Sequence, residues 1–244
     1  MKLLRVLLVL VSLCCIGTAA GQGADDWQKT YDQLLERYAA SSGVKYAAWK
    51  GNAEDLKRLD QVVNAIGAAN ISGLNRNEQL AFYINAYNAW MLHEALEKYP
   101  TKSVKDLLFT FFTSNRIKVA GQQMSFNKLE KEVIIPKFQE PGVHFALNCA
   151  SRSCPPLDRR LFRGSTVQSR MEQLARDYIN SPQGVKYDES SKTAQLSQIF
   201  EWYESDFRKE GGPVAYINKR RREPLPEGTK ITYQKYDWSL NEAK

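Results

Sequence analysis

Cysteine and histidine are the scarce reactive side chains in this 244-residue chain, which holds four of the first and two of the second. Cys14 and Cys15 lie in an apolar leader, so the chemistry of the folded part rests on Cys149, Cys154, His93 and His144. An imidazole within hydrogen-bond reach lowers a thiol's pKa and holds the thiolate, which makes His144 with Cys149 or Cys154 the minimum for thiol nucleophile catalysis. His144 stands five residues before Cys149, and a strand followed by a turn would bring them together. A third group to orient the imidazole would come from a polar stripe made by Glu78, Asn85 and Asn88. None of the local cysteine-protease signatures surrounds either cysteine.

Other chemistries fit the same residues. Cys149 and Cys154 are an even pair in a compartment that permits disulfides, and four intervening residues leave room for a compact turn, so a disulfide is the favoured state. Reactive thiols, metal ligands and inert buried thiols remain open beside it. The four residues also have the identities of a Cys₂His₂ zinc site, but the spacing argues against one: zinc ligands come in close pairs, and His93 would be a lone ligand from a distant helix. No metal or other cofactor is therefore assigned. The plainer readings are a helix-face His93 with a local partner, a satisfied core His144, and asparagines that serve as scaffolding. Asn85 and Asn88 would then hydrogen-bond the backbone of the loop from Asn148 to Pro156, whose prolines donate no N–H.

The elements that must position these groups can be read from periodicity. Met1-Lys2-Leu3-Leu4-Arg5, an apolar run from Val6 to Ile16 and small residues at Gly17 to Ala20 form an export-signal pattern, too short to span a bilayer comfortably. Cleavage is expected after Ala20, with a cut near Gly23 as the alternative, and the mature protein, residues 21–244, would be periplasmic or secreted with no membrane span. Loss of Lys2 and Arg5 lowers the formal charge from +7 to +5. The remaining charges are interspersed except at Lys219-Arg220-Arg221-Arg222, read as a solvated helix end. No basic face with interleaved aromatics is visible, so no nucleic-acid partner is expected, and no other partner is identified.

Apolar residues at three-and-four spacing predict helices from Asp26 to about Ala40, Ala53 to Ala68 and Asn75 to Tyr99. Val44-Lys45-Tyr46 reads as extended. The helix from Asn75 to Tyr99 is apolar around nearly its whole circumference, as expected of a buried central element. Glu78, Asn85 and Asn88 fall within about 80° on it, so the stripe should face another polar segment. Beyond it, a hairpin around Ala120-Gly121 leads to a helix capped by Ser125 and ending before Pro136. His144-Phe145-Ala146-Leu147 reads as a short buried strand. A helix from Val167 to Ile179, a hairpin from Val185 to Leu196, an aromatic helix stopped by Gly211-Gly212, another short helix and a terminal strand complete the chain. Trp202, Phe207 and Trp238 are expected in the core. The fold class is α+β, a mainly helical single domain with a buried central helix and a small sheet built from short hairpins.

Four blocks carry a family resemblance. They are Asn77 to Ala89, His144-Phe145-Ala146-Leu147-Asn148-Cys149 with Ser153-Cys154-Pro155-Pro156-Leu157, Ile199-Phe200-Glu201-Trp202-Tyr203 with Asp206-Phe207, and Tyr236-Asp237-Trp238-Ser239-Leu240-Asn241. In these blocks and their order the chain resembles the domain of unknown function 547 family over roughly residues 27–241. Tyr83 stands where that family usually has Trp, and Lys45 where it usually has Asp. The resemblance implies no substrate, cofactor or reaction. It leaves three readings: an uncharacterised exported domain with a functional surface at the Cys149 to Cys154 loop, a Cys/His-dependent hydrolase or acyltransferase, and a non-enzymatic envelope interaction protein. The candidate catalytic residues are Cys149, His144 and Glu78, and the candidate binding residues are Asn85, Asn88, Asn148 and Cys154.

Overall fold

The computed structural model describes residues 22–107 and 112–243; the leader expected over residues 1–20, with Cys14 and Cys15, lies outside the described residues. Helix α1 (Gln22–Tyr38) buries Trp27, Tyr31, Leu34, Leu35 and Tyr38, the face its spacing predicts. It ends earlier than expected because Ala39–Ala40 pairs as strand β1 with β2 (Gly43–Val44). The extended piece stops there, since Tyr46 already opens the short helix α2 (Tyr46–Lys50). Gly43 has φ 135°, and a Cβ on it would lie 2.0 Å from the carbonyl oxygen of Asn241, so only glycine lets the C-terminal segment pass.

Helix α3 (Ala53–Ala68) is capped by Asn52, which accepts from the Asp55 N–H at 3.1 Å. Helix α4 (Arg76–Lys98) is the central element: nearly every residue from Leu80 to Leu96 is buried. The hairpin of β3 (Ile117–Val119) and β4 (Gln122–Met124) turns at Ala120-Gly121 as predicted, and the Ser125 hydroxyl caps the next helix by accepting from Lys128 N–H at 3.1 Å. That helix, α5, does not end before Pro136. It runs as an α turn (Phe126–Lys128), a wide π segment (Leu129–Ile134) and a second α turn (Ile135–Phe138). Pro136 falls in the first turn of the returning α segment, where a missing N–H is tolerated.

His144 is not on a strand. Pro141–Phe145 forms a 3₁₀ turn, because Pro141 presets a helical φ and the apolar run that follows is too short for periodicity to separate strand from helical turn. Helix α6 (Val167–Ile179) and the antiparallel pair β5 (Val185–Asp188) and β6 (Thr193–Leu196) follow as expected, and β7 (Lys230–Tyr233) adds parallel to β6. Between β6 and β7 come α7 (Ile199–Trp202), a 3₁₀ segment (Glu204–Glu210) stopped by Gly211 and Gly212 at φ near 90°, and α8 (Pro213–Asn218). Helix dominates and the sheets are small, the mainly helical α+β fold expected.

Apolar burial divides into a large cluster around α4 and a smaller one around Phe145, Phe200, Phe207 and Tyr216. The 3₁₀ turn links them, with Val143 in the first and Phe145 in the second, so His144 is held at their junction. The basic run is not simply solvated. Arg220 packs over the Tyr216 ring at 3.5 Å and pairs with Glu172 and Glu210 at 2.9 and 3.1 Å.

Candidate functional site

The loop after His144 is shaped by asparagines. Asn88, buried on α4, donates to the Ala146 carbonyl and accepts from the Asn148 N–H, both at 2.9 Å. Asn148 then accepts from the Ala150 N–H at 3.0 Å and donates to the Pro155 carbonyl at 2.8 Å, bracing the loop from inside. Ala150, between Cys149 and Ser151, takes a left-handed φ of 61°, a conformation that costs a residue with a Cβ about 1–2 kcal/mol. The C-terminal segment holds it there. Asn241 N–H donates to the Ala150 carbonyl at 2.9 Å, and Arg152 N–H donates to the Ser239 carbonyl at 2.8 Å.

The polar stripe on α4 thus divides. Asn88 serves the cysteine loop, whereas Asn85 clamps a later segment, donating to the Phe162 carbonyl at 2.8 Å and accepting from its N–H at 3.0 Å. Glu78 joins neither. Its carboxylate accepts from the Asn75 N–H at 2.8 Å in a capping box at the start of α4 and does not orient the imidazole.

Both cysteines are free thiols, so the expected disulfide is not formed. The left-handed turn at Ala150 explains why. It directs the Cys149 N–H onto Cys154 Sγ at 3.0 Å, and Cys154 Sγ lies 3.6 Å from the Leu147 carbonyl, which gives that sulfur a place in the loop's own bonding. Cys149 Sγ instead lies 3.0 Å from Ser151 Oγ and 3.4 Å from the Tyr236 hydroxyl. The two thiols are driven apart in acidity. The hydrogen bond from Cys154, helped by Ser151 and Tyr236 and opposed by burial, pulls Cys149 below the ordinary thiol range. Burial, then the interaction with Cys149, pushes Cys154 well above it.

Cys149 and Cys154 border a cavity of about 640 Å³ that also reaches His144, Glu130, Tyr203, Asp206, Tyr236 and Trp238. His144 Nε2 lies 2.8 Å from Asp206 Oδ2, and the imidazole stacks on the Tyr203 ring at 4.0 Å. The hydrogen bond with His144 holds the Asp206 carboxyl below the usual carboxylate range. No hydrogen bond joins His144 to Cys149 among the described residues, so the thiolate is favoured by its own hydroxyl and thiol neighbours. On the π segment of α5, the buried Glu130 carboxylate accepts from the hydroxyls of Tyr203 and of Tyr87, the latter at 3.1 Å. Burial, then the charge of Glu130, keeps both phenols protonated and hence donors. A second hollow, of about 920 Å³, borders the loop at Pro155 and Pro156, but no cysteine or histidine lines it.

One wall of the cysteine cavity is aromatic. Trp202, Tyr236 and Trp238 pack together with ring centroids 4.5 to 5.7 Å apart. Trp202 is 44% exposed and Trp238 half-buried, so of the three aromatics expected in the core only Phe207 is there. His93 has the local neighbours anticipated for it in Glu94 at 3.7 Å and Trp90, but its shortest contact, Asp60 at 3.0 Å, comes from α3. It does not line the cavity, and among the described residues no three of His, Cys, Asp and Glu gather as a metal site.

Sequence reasoning missed Asp206, Glu130, Tyr203 and Tyr236 as members of the site. Three of them stand in the blocks that carry the family resemblance, which was a usable signal; Glu130 does not. Residues 71–179 match the model of the family described as protein of unknown function, DUF547, which supports that domain family for a stretch holding α4, His144 and both cysteines. The blocks at Ile199–Phe207 and Tyr236–Asn241 lie outside the matched residues. No curated protein and no solved structure matches the chain.

Proposed function

We propose that the cavity is the active site of an exported thiol-nucleophile enzyme, a hydrolase or acyltransferase in which Cys149 attacks. The observation that carries this reading is Cys149 Sγ on the cavity wall between two hydroxyls, 3.0 and 3.4 Å away, that stabilise its anion. The thiolate adds to an acyl carbon, the bond to the leaving group breaks, and His144 supplies the proton the leaving group needs. A thioester on Cys149 results. Water or another acceptor then attacks it, yielding its proton to His144 and regenerating the thiolate. Asp206 is the positioning residue that fixes the ring of His144 throughout. Export is supported by the leader pattern alone.

A purely interaction-based role would draw support from the lack of a cleft beside the cysteine loop and from an apolar patch elsewhere. The cleft is present, and Trp202, the most exposed of the large apolar residues among the described ones, belongs to its wall. The test is covalent labelling of the natively folded protein. Iodoacetamide should add one group, on Cys149 and not Cys154, and p-nitrophenyl acetate should leave one acetyl group on Cys149 that is lost slowly in wild type and faster with an added amine or alcohol acceptor. Two unreactive sulfurs would end the proposal.

A further inference from the structure

The cavity contains a negative charge that no described residue neutralises. Glu130 is 9% exposed, and among the described residues it forms no ion pair; its partners are the neutral hydroxyls of Tyr87 and Tyr203. A buried carboxylate without a cation is costly, and two tyrosine donors leave half of its lone-pair positions unused. The other charges on the cavity do not cancel it. Asp206 and His144 are engaged with each other, and Lys131, although it also lines the cavity, is solvent-exposed and has no ion pair with Glu130. Exposed charges are screened by water and salt far more than buried ones. The same cavity is lined by Trp202 and Trp238, and an aromatic face attracts a desolvated cation.

Resting on the reading of Cys149 as the nucleophile, we infer that the substrate carries a cationic amine or quaternary ammonium group. It would be seated between the Glu130 carboxylate and the Trp202–Trp238 wall while its acyl carbon meets Cys149. The π segment that carries Glu130 has a structural purpose in this arrangement, because such local widening of a helix recurs where a side chain must be re-aimed into a site. Glu130 acts here as a specificity residue, distinct from the groups that make and break bonds.

The test uses the full mature protein and three methanethiosulfonate reagents that differ in charge: a trimethylammonium-ethyl, a neutral methyl and a sulfonatoethyl derivative. Each transfers its thioalkyl group to the Cys149 thiolate, forming a mixed disulfide and releasing methanesulfinate. The second-order rates are divided by those for a free small thiol. Wild type should prefer the cationic over the anionic reagent by about tenfold or more, the size expected for one poorly screened charge. Glu130→Gln should remove most of that preference, read as the cationic-to-anionic rate ratio within each variant, and Glu132→Gln, an exposed neighbour outside the cavity, should leave it intact. Should Glu130→Gln fold poorly, Trp202→Leu on the exposed wall should lower the ratio of the trimethylammonium rate to the methyl rate several-fold. A cation preference unchanged in Glu130→Gln, or in Trp202→Leu where that variant stands in, overturns the inference and leaves the thiol reading standing. Failure of all three reagents at Cys149 overturns both.

Discussion

Replacing Cys154 by alanine isolates the feature on which the proposed chemistry depends. It removes the group that contributes most to the acidity of Cys149, and in protein produced without residues 1–20 it leaves a single thiol, so alkylation reports on Cys149 alone. The wild-type thiol is drawn down to about 6. At pH 7 roughly 90% of it would be thiolate, against a few per cent for an unperturbed cysteine with a pKa of about 8.5. A hydrogen bond to a charged acceptor is worth about 1.5–3 kcal/mol, which at about 1.4 kcal/mol per pH unit is a change of about 1–2 units. Alkylation by iodoacetamide, followed by intact mass from pH 5 to 10, should inflect near 6 in wild type and one to two units higher in Cys154→Ala. Because the folded-state value is depressed, the ionised thiol stabilises the fold fully above the unfolded value of about 8.5 and ceases to do so as pH falls through about 6. Urea unfolding of wild type against Cys149→Ser should show that difference shrinking in the same window. A wild-type inflection at the ordinary thiol value, or one that Cys154→Ala does not move, would refute the account of how the anion is held.

Asn85→Leu removes both hydrogen bonds to the buried Phe162 backbone and strands a donor and an acceptor, at a net cost of about 2–4 kcal/mol after the apolar gain; a urea midpoint within error of wild type would contradict the clamp. Truncation before Tyr236 removes the bonds that hold Ala150 and Arg152, together with buried Leu240 and Asn241, and should give an insoluble or unfolded product, whereas an unchanged melting temperature would show the strap to be dispensable. Burial lowers the His93 pKa, but Glu94 and Asp60 outweigh it and raise the value above the usual 6.5. Its stabilisation should therefore be complete below about pH 6.5 and fade as pH rises through the folded-state value. His93→Gln should abolish that dependence in thermal melts; a wild-type melting curve equally flat across the window would argue against the pairing.

Long periodic segments were legible because burial dictates their spacing. Leu59, Val62, Val63 and Ile66 on α3, and the all-round apolar α4, leave few other places for those side chains, and Ser125 caps its helix as read, while the caps at Asn52 and Asn75 emerged only in the structure. Short segments were not legible. The four residues His144–Leu147, three of them apolar, satisfy a strand and a helical turn equally, and the decision came from Pro141 upstream. Pro136 misled for the opposite reason: the π segment before it let the helix continue. Trp202 and Trp238 are aromatic enough for any core, but α7 and the C-terminal segment present them to the cavity, a matter of tertiary placement that spacing does not encode.

The proposed site was legible in its thiols and its imidazole, which the fold brings to one cavity, and not in what tunes them. Asp206 lies sixty-two residues beyond His144, and it reaches the imidazole because the 3₁₀ turn at Pro141–Phe145 sits between the two apolar clusters, one of which carries Phe207 beside it. The cysteines make the point more sharply. Four residues between Cys149 and Cys154 are compatible with a disulfide, with ligand pairs and with two free thiols, so their spacing selects none of these. The selection is made by Ala150. Its left-handed conformation, held by Asn148 from within the loop and by Asn241 from the far end of the chain, turns one sulfur inward as an acceptor for backbone N–H and the other outward toward two hydroxyls. Two chemically identical side chains thereby acquire opposite acidities, and the more acidic of them is the thiol that the proposed chemistry requires.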